Sequence, residues 1–228
     1  MAVKPGGLKF TELSFHLEGE GCLIVVNSVL CVDTHYRQAF NCADISILKA
    51  HLDSVNEGIN TQYTYPSIFE LPTKPGEHRA SQWFLSRSAV FHGLQKNRLL
   101  QKGDDDLCVS ISHSKEVALA AFCTRGKRVG VDVEKIDRNI SEQVIRQVYN
   151  TEDLKGLDRL DVWLVKEAVF KASNGLISHL SSVVIVKQIN DSLYRAFAGG
   201  LSFMVCTRSI EGSYRVSVAV EFSERKFL

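Results

Sequence analysis

The sequence predicts an α+β fold, and three observations support this prediction. Segments with helical periodicity are mixed with mostly sequential strand-like segments. The 228 residues suit one large domain or two small halves, and a chain of this length buries most of its apolar surface without a disulfide or metal. A short internal repeat suggests two related halves, since residues 84–91 match residues 163–170 at Leu, Ala, Val and Phe, with Arg87 opposite Lys166. Coincidence between two amphipathic helices is the alternative explanation.

The first part of the chain is predicted to contain strands, an irregular connection and one helix. The apolar run 22–32 predicts one or two strands. Residues 53–78 are rich in Asn, Gly, Thr and Pro, which is typical of an irregular connection. Apolar and basic residues at helical spacing predict a helix over 77–96, and a polar, acidic loop follows at 101–106.

The second part of the chain has clearer periodicity. Two short strands are predicted at 107–112 and 117–123, followed by a strand with clean alternation at 128–136. Helices are predicted at 141–149 and 159–173. Polar or glycine-containing turns separate the remaining predicted strands, which are 182–189, 193–197, 201–208 and 213–222.

Composition and charge exclude several function classes. The formal net charge is only +1, so the bulk positive field of a nucleic-acid-binding protein is absent. The sequence has no run of 18 apolar residues and no apolar secretory signal, so neither a membrane span nor export is expected. None of the six cysteines forms a C-x-x-C pair, which favours small buried thiols in a reducing compartment over disulfides or zinc. We therefore expect a cytoplasmic protein.

The strand 128–136 carries the first candidate site residues. Alternation places valines on one face and Gly130, Asp132 and Glu134 on the other. Two carboxylates on one strand face are ~7 Å apart at the backbone, so their side chains can converge on one cation. Gly130 has no side chain, which would leave room for a ligand. A half-exposed strand with a solvated polar face is the alternative.

The predicted helix around residues 162–172 carries the second group. It is apolar on nearly every side, and only Lys166, Glu167 and Lys171 interrupt this pattern. A helix of this kind is usually buried, so its charges need partners or a cleft to face. Glu167 and Lys171 are i,i+4 neighbours, and an ordinary surface ion pair worth ~0.3–0.5 kcal/mol is the alternative.

A third group lies at the end of the predicted strand 107–112. Ser110, Ser112, His113 and Ser114 supply hydroxyls and an imidazole, which can donate hydrogen bonds to phosphate oxygens. The same residues can also serve as simple turn formers. A Ser/His/Asp hydrolase is a further possibility, but the sequence has no G-x-S-x-G nucleophile motif.

The three motifs are more specific together than singly. In this order, S-x-S-H-S, G-V-D-V-E and W-x-x-K-E-A-x-x-K resemble the 4′-phosphopantetheinyl transferase superfamily, and the chain length resembles its larger, pseudo-dimeric class. That class activates siderophore, surfactin and polyketide synthases. The resemblance covers 107–172 and extends more weakly over 77–93, where Arg79 to Arg87 is similar to the family's R-x-x-x-x-F-L-x-x-R helix.

The resemblance implies a fold and an activity. The fold would consist of two similar α+β halves related by a pseudo-twofold axis, 1–125 and 126–228, with the active site in the cleft between them. The enzyme would transfer the 4′-phosphopantetheine of coenzyme A to a serine of an apo acyl or peptidyl carrier protein. It would release adenosine 3′,5′-bisphosphate and serve polyketide, nonribosomal peptide or fatty acid biosynthesis. It would act as a cytoplasmic monomer, without nucleic acid or membrane partners.

The resemblance also implies roles for individual residues. Mg²⁺, with Mn²⁺ as a substitute, would be held by Asp132, Glu134 and Glu167, which suits a cation that prefers oxygen ligands. Glu167 would also help to deprotonate the carrier serine, and Lys171 would stabilise charge on the α-phosphate. The residues implied to contact coenzyme A are Arg79, Arg87, Ser112, His113, Lys166 and Lys171.

The sequence departs from the family pattern at two places. Many members have Gly-Lys-Pro shortly before S-x-S-H-S, whereas this chain has Lys-Gly-Asp-Asp-Asp at 102–106. The connection 135–162 is also short, and this region helps to form the carrier-docking surface in the family. Lys135, Arg138 and Arg146 could provide positive charge there, or they could be ordinary solvated side chains. A non-catalytic coenzyme A- or carrier-binding homologue and a metal-dependent phosphohydrolase are the alternative functions.

Overall fold

The computed structural model describes residues 8–19, 22–33, 77–96, 107–114, 117–123, 127–153 and 155–222. Nine strands and three α-helices lie within these ranges, which confirms the α+β class. The helices are α1 (Glu77–Lys96), α2 (Glu142–Val148) and α3 (Arg159–Ser173). The strands are β1 (Leu8–Gly19), β2 (Cys22–Asp33), β3 (Cys108–Ser114), β4 (Val117–Cys123), β5 (Val129–Lys135), β6 (Val184–Asn190), β7 (Leu193–Ala198), β8 (Leu201–Ile210) and β9 (Tyr214–Phe222).

The strands form two antiparallel sheets that share one core. The first sheet has the order β1-β2-β4-β3, and the second has the order β5-β9-β8-β7-β6. Leu119 of β4, Val131 of β5 and Val218 of β9 are fully buried in one apolar cluster, so the two sheets pack face to face. Every described strand before residue 125 belongs to the first sheet, and every described strand after it belongs to the second.

One long helix covers the outer face of each sheet. Helix α1 contacts β2, β3 and β4, whereas α3 contacts β5, β8 and β9. Val165 and Ala168 of α3 pack with Val205 and Ala219, which face away from the first sheet. The result is a four-layer arrangement in which two helices enclose two sheets. This arrangement brings β3, at one edge of the first sheet, next to β5, at one edge of the second sheet.

The limits of α3 follow from its sequence. Asp158 is the N-cap, and its carboxylate accepts hydrogen bonds from the backbone N–H groups of Leu160 and Asp161. At the other end, Asn174 has φ 46° and Gly175 has φ 84°, a left-handed conformation that ends the helix. Because both ends are fixed, the side chains of α3 have a defined rotation over the second sheet.

Most of the element predictions are confirmed. The predicted helices 77–96, 141–149 and 159–173 correspond to α1, α2 and α3. The strand predictions correspond to β2 to β9, although β1 was not predicted and β3 continues to Ser114. Of the connection predicted at 53–78, residues 53–76 lie outside the described residues and the last two belong to α1, and the acidic loop at 101–106 also lies outside the described residues.

Two further expectations concern membrane spans and thiols within the described residues. No helix there is long and apolar enough to span a membrane. Cys108, Cys123 and Cys206 are free thiols, and the first two are buried, as expected for small apolar side chains.

Candidate active site

A cleft of about 360 Å³ opens where the two edge strands meet α1 and α3. It collects residues from all three sequence motifs and from the predicted helix 77–96. Most of its polar lining consists of the candidates chosen from the sequence. The lining residues are Arg87, Ser110, Ile111, Ser112, His113, Asp132, Glu134, Trp163, Glu167, Phe170 and Lys171.

Three serines connect the two edge strands at the base of this cleft. Ser112 donates a hydrogen bond to Asp132 Oδ1 (2.7 Å), and Ser114 donates one to Glu134 Oε2 (3.1 Å). Ser110 Oγ accepts a hydrogen bond from a backbone N–H of β5 (3.2 Å). These bonds run in the same order along both strands, so β3 and β5 lie parallel. The S-x-S-H-S motif therefore positions the carboxylates of the other sheet.

Asp132 and Lys171 form the central ion pair of the cleft. Lys171 Nζ lies 2.8 Å from Asp132 Oδ1, and it donates further hydrogen bonds to Ser112 Oγ (3.1 Å) and the Val131 carbonyl (3.1 Å). Asp132 Oδ2 is buried and has no hydrogen-bond partner. A buried carboxylate oxygen without a partner is costly, so this atom is available to a ligand that supplies positive charge or a donor.

Gly130 has a different role from the one predicted. A Cβ at this position would lie 1.9 Å from the Ala168 carbonyl oxygen and 2.5 Å from the Ala172 backbone nitrogen. The space beside Gly130 is thus filled by the backbone of α3 and does not hold a ligand. This close approach of helix to strand brings Glu167 and Lys171 to the same cleft as Asp132.

Arg138 folds back onto the end of β5. Its backbone N–H donates to the Lys135 carbonyl (3.0 Å), and its guanidinium forms an ion pair with Glu134. The guanidinium carbon also lies 5.1 Å from the centroid of the Trp163 ring, within the range of a cation–π interaction. The sequence suggests either a charge on the docking surface or an ordinary solvated side chain for Arg138, and neither interpretation predicts this contact with Glu134.

Glu167 lies between the charged groups of the cleft. Burial raises the pKa of its carboxyl group, Lys171 opposes this shift, Asp132 adds to it, and Arg138 opposes it. A carboxyl group whose pKa is raised toward neutrality is a better general base than an ordinary surface glutamate. The charge arrangement therefore suits proton transfer at Glu167.

Cationic and neutral donors lie on the α1 side of the cleft. Arg87 is 6% exposed, stacks on Trp83 at 5.2 Å, and has a pKa lowered to about 10 by burial. The pKa of His113 is lowered by burial and by the positive charges of Lys171 and Arg87. Both side chains line the cleft, where a guanidinium and an imidazole can donate hydrogen bonds to phosphate oxygens. Arg79 lies in α1, but its side chain is outside the described residues.

Of the residues implied to contact coenzyme A or the metal, Lys166 is the one whose described side chain lies away from the cleft. Its side chain is completely buried, pairs with Asp153 Oδ2 at 2.7 Å, and donates to the Val183 carbonyl. Positions five residues apart on an α-helix are about 140° apart around its axis, so Lys166 and Lys171 face different sides. The prediction that Lys166 supports the anionic site is therefore wrong, because the side chain stabilises the interior.

The donor chemistry of the cleft fits a divalent cation, but the ligands are not assembled around one point. Asp132, Glu134 and Glu167 supply carboxylate oxygens, and the buried Asp132 Oδ2 has no partner. In the described part of the chain, no group of three or more His, Cys, Asp or Glu side chains is arranged to hold a metal ion. Instead, the ammonium of Lys171 and the guanidinium of Arg138 hold two of the three carboxylates.

A second cavity of about 360 Å³ lies on the other side of Glu167. Glu167 and Phe170 line both cavities, so they form the wall between them. The remaining lining residues come from the end of α2 and from the segment after α3, and they are Gln147, Val148, Ser178, His179, Leu180 and Ser181. This cavity was not predicted, because its residues are far apart in the sequence and carry no motif.

No protein-family model matches this chain, and no curated protein matches it either. The resemblance to phosphopantetheinyl transferases therefore depends on the three motifs and on the cleft in which their residues meet.

Proposed function

We propose that this protein transfers 4′-phosphopantetheine from coenzyme A to a serine of an apo acyl or peptidyl carrier protein. The observation that carries the proposal is the meeting of Ser112, Asp132, Glu167 and Lys171 in one cleft, although they come from three separate motifs. The same motifs carry the family resemblance. A cleft that combines carboxylates, buried cations and hydroxyls suits a pyrophosphate with an associated divalent ion.

The reaction can be assigned to residues of the cleft. The serine hydroxyl of the carrier attacks the β-phosphorus of the coenzyme A pyrophosphate, and the bond to the bridging oxygen breaks. Phosphopantetheine is then joined to the serine, and adenosine 3′,5′-bisphosphate leaves with the electron pair of that bond. Glu167 accepts the serine proton, because its carboxylate lines the cleft that the serine enters. Lys171 stabilises the charge that develops on the departing α-phosphate.

Other residues hold the substrate. Arg87 and His113 face the cleft from α1 and β3, where they can bind the phosphates of coenzyme A. Ser112 orients both Asp132 and Lys171 through its hydroxyl group. Ser112 would therefore act mainly by positioning these two charges, with phosphate contact as a secondary role.

The proposal includes a divalent cation, Mg²⁺ or Mn²⁺. Asp132, Glu134 and Glu167 would hold it, and Asp132 Oδ2 is the oxygen that most needs a partner. When bound, the cation would neutralise charge on the pyrophosphate and so lower the barrier to its cleavage.

The cavity behind Glu167 is the proposed place for the acceptor segment of the carrier. The serine hydroxyl itself must enter the charged cleft to reach the phosphorus, while the neighbouring residues of the carrier would occupy the second cavity. Glu167 lines both cavities, so it can accept the proton of a serine presented from that side. The mixture of hydroxyl, imidazole and aliphatic side chains in the second cavity suits a peptide segment.

The proposal further includes two similar halves related by a pseudo-twofold axis, divided near residue 125, in a cytoplasmic monomer. Support comes from the internal repeat, since residues 84–91 lie in α1 and residues 163–170 lie in α3, and each helix covers one sheet. The identical Leu, Ala and Val positions of the two segments are buried alike, as is the pair Arg87 (6% exposed) and Lys166 (0% exposed).

Product analysis distinguishes this proposal from the alternatives. The protein is incubated with coenzyme A and Mg²⁺, with and without an apo carrier, and adenosine 3′,5′-bisphosphate is measured by chromatography. The transferase predicts release only when the carrier is present. Release at a similar rate without carrier would indicate a phosphohydrolase, and carrier binding without release would indicate a non-catalytic homologue.

A further inference from the structure

Arg138 occupies a position that neither the sequence motifs nor the proposed reaction explains. It lies four residues after the last residue of the D-x-E motif, outside all three motifs. Its guanidinium nevertheless pairs with Glu134, one of the proposed metal ligands, and stacks on Trp163 of α3. It also acts electrostatically on Glu167, a second proposed ligand.

The geometry of Glu134 shows how Arg138 is held. Glu134 is buried at the end of β5, where Oε2 accepts a hydrogen bond from Ser114 and Oε1 pairs with the guanidinium. The Arg138 side chain is 38% exposed, whereas that of Glu134 is 12% exposed. The carboxylate is thus fixed in the protein, while the cation lies at the border with solvent and is the partner that can move away.

We infer that Arg138 is the resident counter-ion of Glu134 and that a divalent cation must displace its guanidinium in order to use Glu134 as a ligand. Two positive groups cannot share one carboxylate oxygen without strong repulsion, so the guanidinium lowers the affinity of the cleft for the metal. Arg138 is therefore a positioning residue that keeps the carboxylate paired until the metal arrives. This inference rests on the divalent site of the proposed function.

Trp163 provides a direct signal of this displacement. The chain contains two tryptophans, Trp83 in α1 and Trp163 in α3, so Trp83→Phe leaves Trp163 as the only indole. Because the guanidinium of Arg138 lies over the Trp163 ring, its departure changes the surroundings of that ring. Adding Mg²⁺ alone to this variant should therefore change the fluorescence of Trp163, without any need for activity.

The test compares the Mg²⁺ affinity of Arg138→Gln with that of Arg146→Gln, measured by isothermal titration calorimetry, since Arg138→Gln lacks the guanidinium whose departure changes Trp163 fluorescence. Arg146 is a matched control, because it also pairs with a glutamate four residues away, Glu142 at 3.0 Å, but on the exposed helix α2. Removing the competing cation should tighten Mg²⁺ binding by about threefold in Arg138→Gln, the value of a partly exposed ion pair. Arg146→Gln should bind Mg²⁺ as the parent does.

Each outcome decides the inference. Equal or weaker Mg²⁺ binding by Arg138→Gln would overturn it, as would the absence of saturable Mg²⁺ binding in the parent protein. Tighter binding in Arg138→Gln, with no change in Arg146→Gln, supports it. Failure of the protein to modify any carrier would remove the proposed function but leave this result intact, because the titration uses the metal alone.

Discussion

Two lysines on helix α3 have opposite surroundings, although each pairs with an aspartate. Lys166 and Asp153 both have side chains that are 0% exposed, and their pair links α3 to the backbone around β6. Lys171 is 22% exposed and holds Asp132 at the base of the open cleft. Five positions along one helix therefore separate a fully buried ion pair from one that lines an open cleft.

The energetic consequences of the two pairs differ for the same reason. A fully buried charge without its partner has no water to replace that partner, so breaking such a pair is very costly. A charge beside an open cleft can be hydrated or can bind a ligand instead. We therefore expect the Lys166 side to determine stability and the Lys171 side to determine activity.

The largest expected effect is that of Lys166→Met on stability. It leaves the Asp153 carboxylate buried without its counter-ion and should lower the free energy of unfolding by about 3–5 kcal/mol, as measured by chemical denaturation. The double variant Lys166→Met/Asp153→Asn should recover part of this loss, because it removes the uncompensated charge. A loss below about 1 kcal/mol in the single variant would contradict the structural role of the pair.

Lys171→Met should reduce activity more than it reduces stability. We expect carrier modification to fall by about 10²–10³-fold, the usual effect of removing one group that stabilises developing charge. The free energy of unfolding should fall by less than half of the loss in Lys166→Met. Parallel rate and denaturation measurements on both variants provide the check, and equal stability losses would remove the distinction between the two sides of α3.

The close contact between α3 and β5 positions the side chains on both sides of this helix. Gly130→Ala places a methyl group against the backbone of α3, so it should destabilise the protein by about 3 kcal/mol. It should also reduce transfer by shifting Glu167 and Lys171 relative to Asp132. Gly212→Ala is the matched control, since this turn glycine has open space around it and its φ of 67° should cost only about 1 kcal/mol. Similar melting temperatures for the two variants would contradict the close contact.

The smallest expected effect is a pH dependence of stability that arises from Glu167. Its folded-state pKa is raised by burial, so the folded protein binds this proton more tightly than the unfolded chain does. The resulting stability is present below the unfolded pKa and is lost as the pH rises through the folded pKa. Glu167→Gln should therefore be more stable than the parent at pH 8, with a smaller gain at pH 4. Exposed Glu152→Gln provides the control in thermal denaturation, and an equal gain at both pH values would be inconsistent with the raised pKa.

Local signals explain why most of the fold could be predicted. Asp158 and Asn174-Gly175 mark the two ends of α3, and the alternation of valines marks β5. β1 was missed even though Phe15 and Leu17 alternate with polar residues, because charged residues weaken its apolar pattern. The packing of the two sheets could not be predicted, since it depends on contacts between distant parts of the chain.

The candidate site was partly predictable for a similar reason. Asp132 and Glu134 share a strand face, and Glu167 and Lys171 are one helical turn apart, so their placement in the cleft follows from regular geometry. Helical geometry also places Lys166 and Lys171 on different sides of α3, so the sequence alone argues against a place for Lys166 in the cleft. The fold of Arg138 back onto Glu134 depends on the turn after β5, for which the sequence gives no clear signal.

The proposed function is tested most directly by the intact mass of an apo carrier protein after incubation with this protein, coenzyme A and Mg²⁺. We predict that the carrier gains the mass of one phosphopantetheine on a serine, and that Asp132→Ala, folded but without the central carboxylate, abolishes this gain. An unchanged carrier mass with the parent protein, across acyl and peptidyl carriers, or full modification by Asp132→Ala would contradict the proposal.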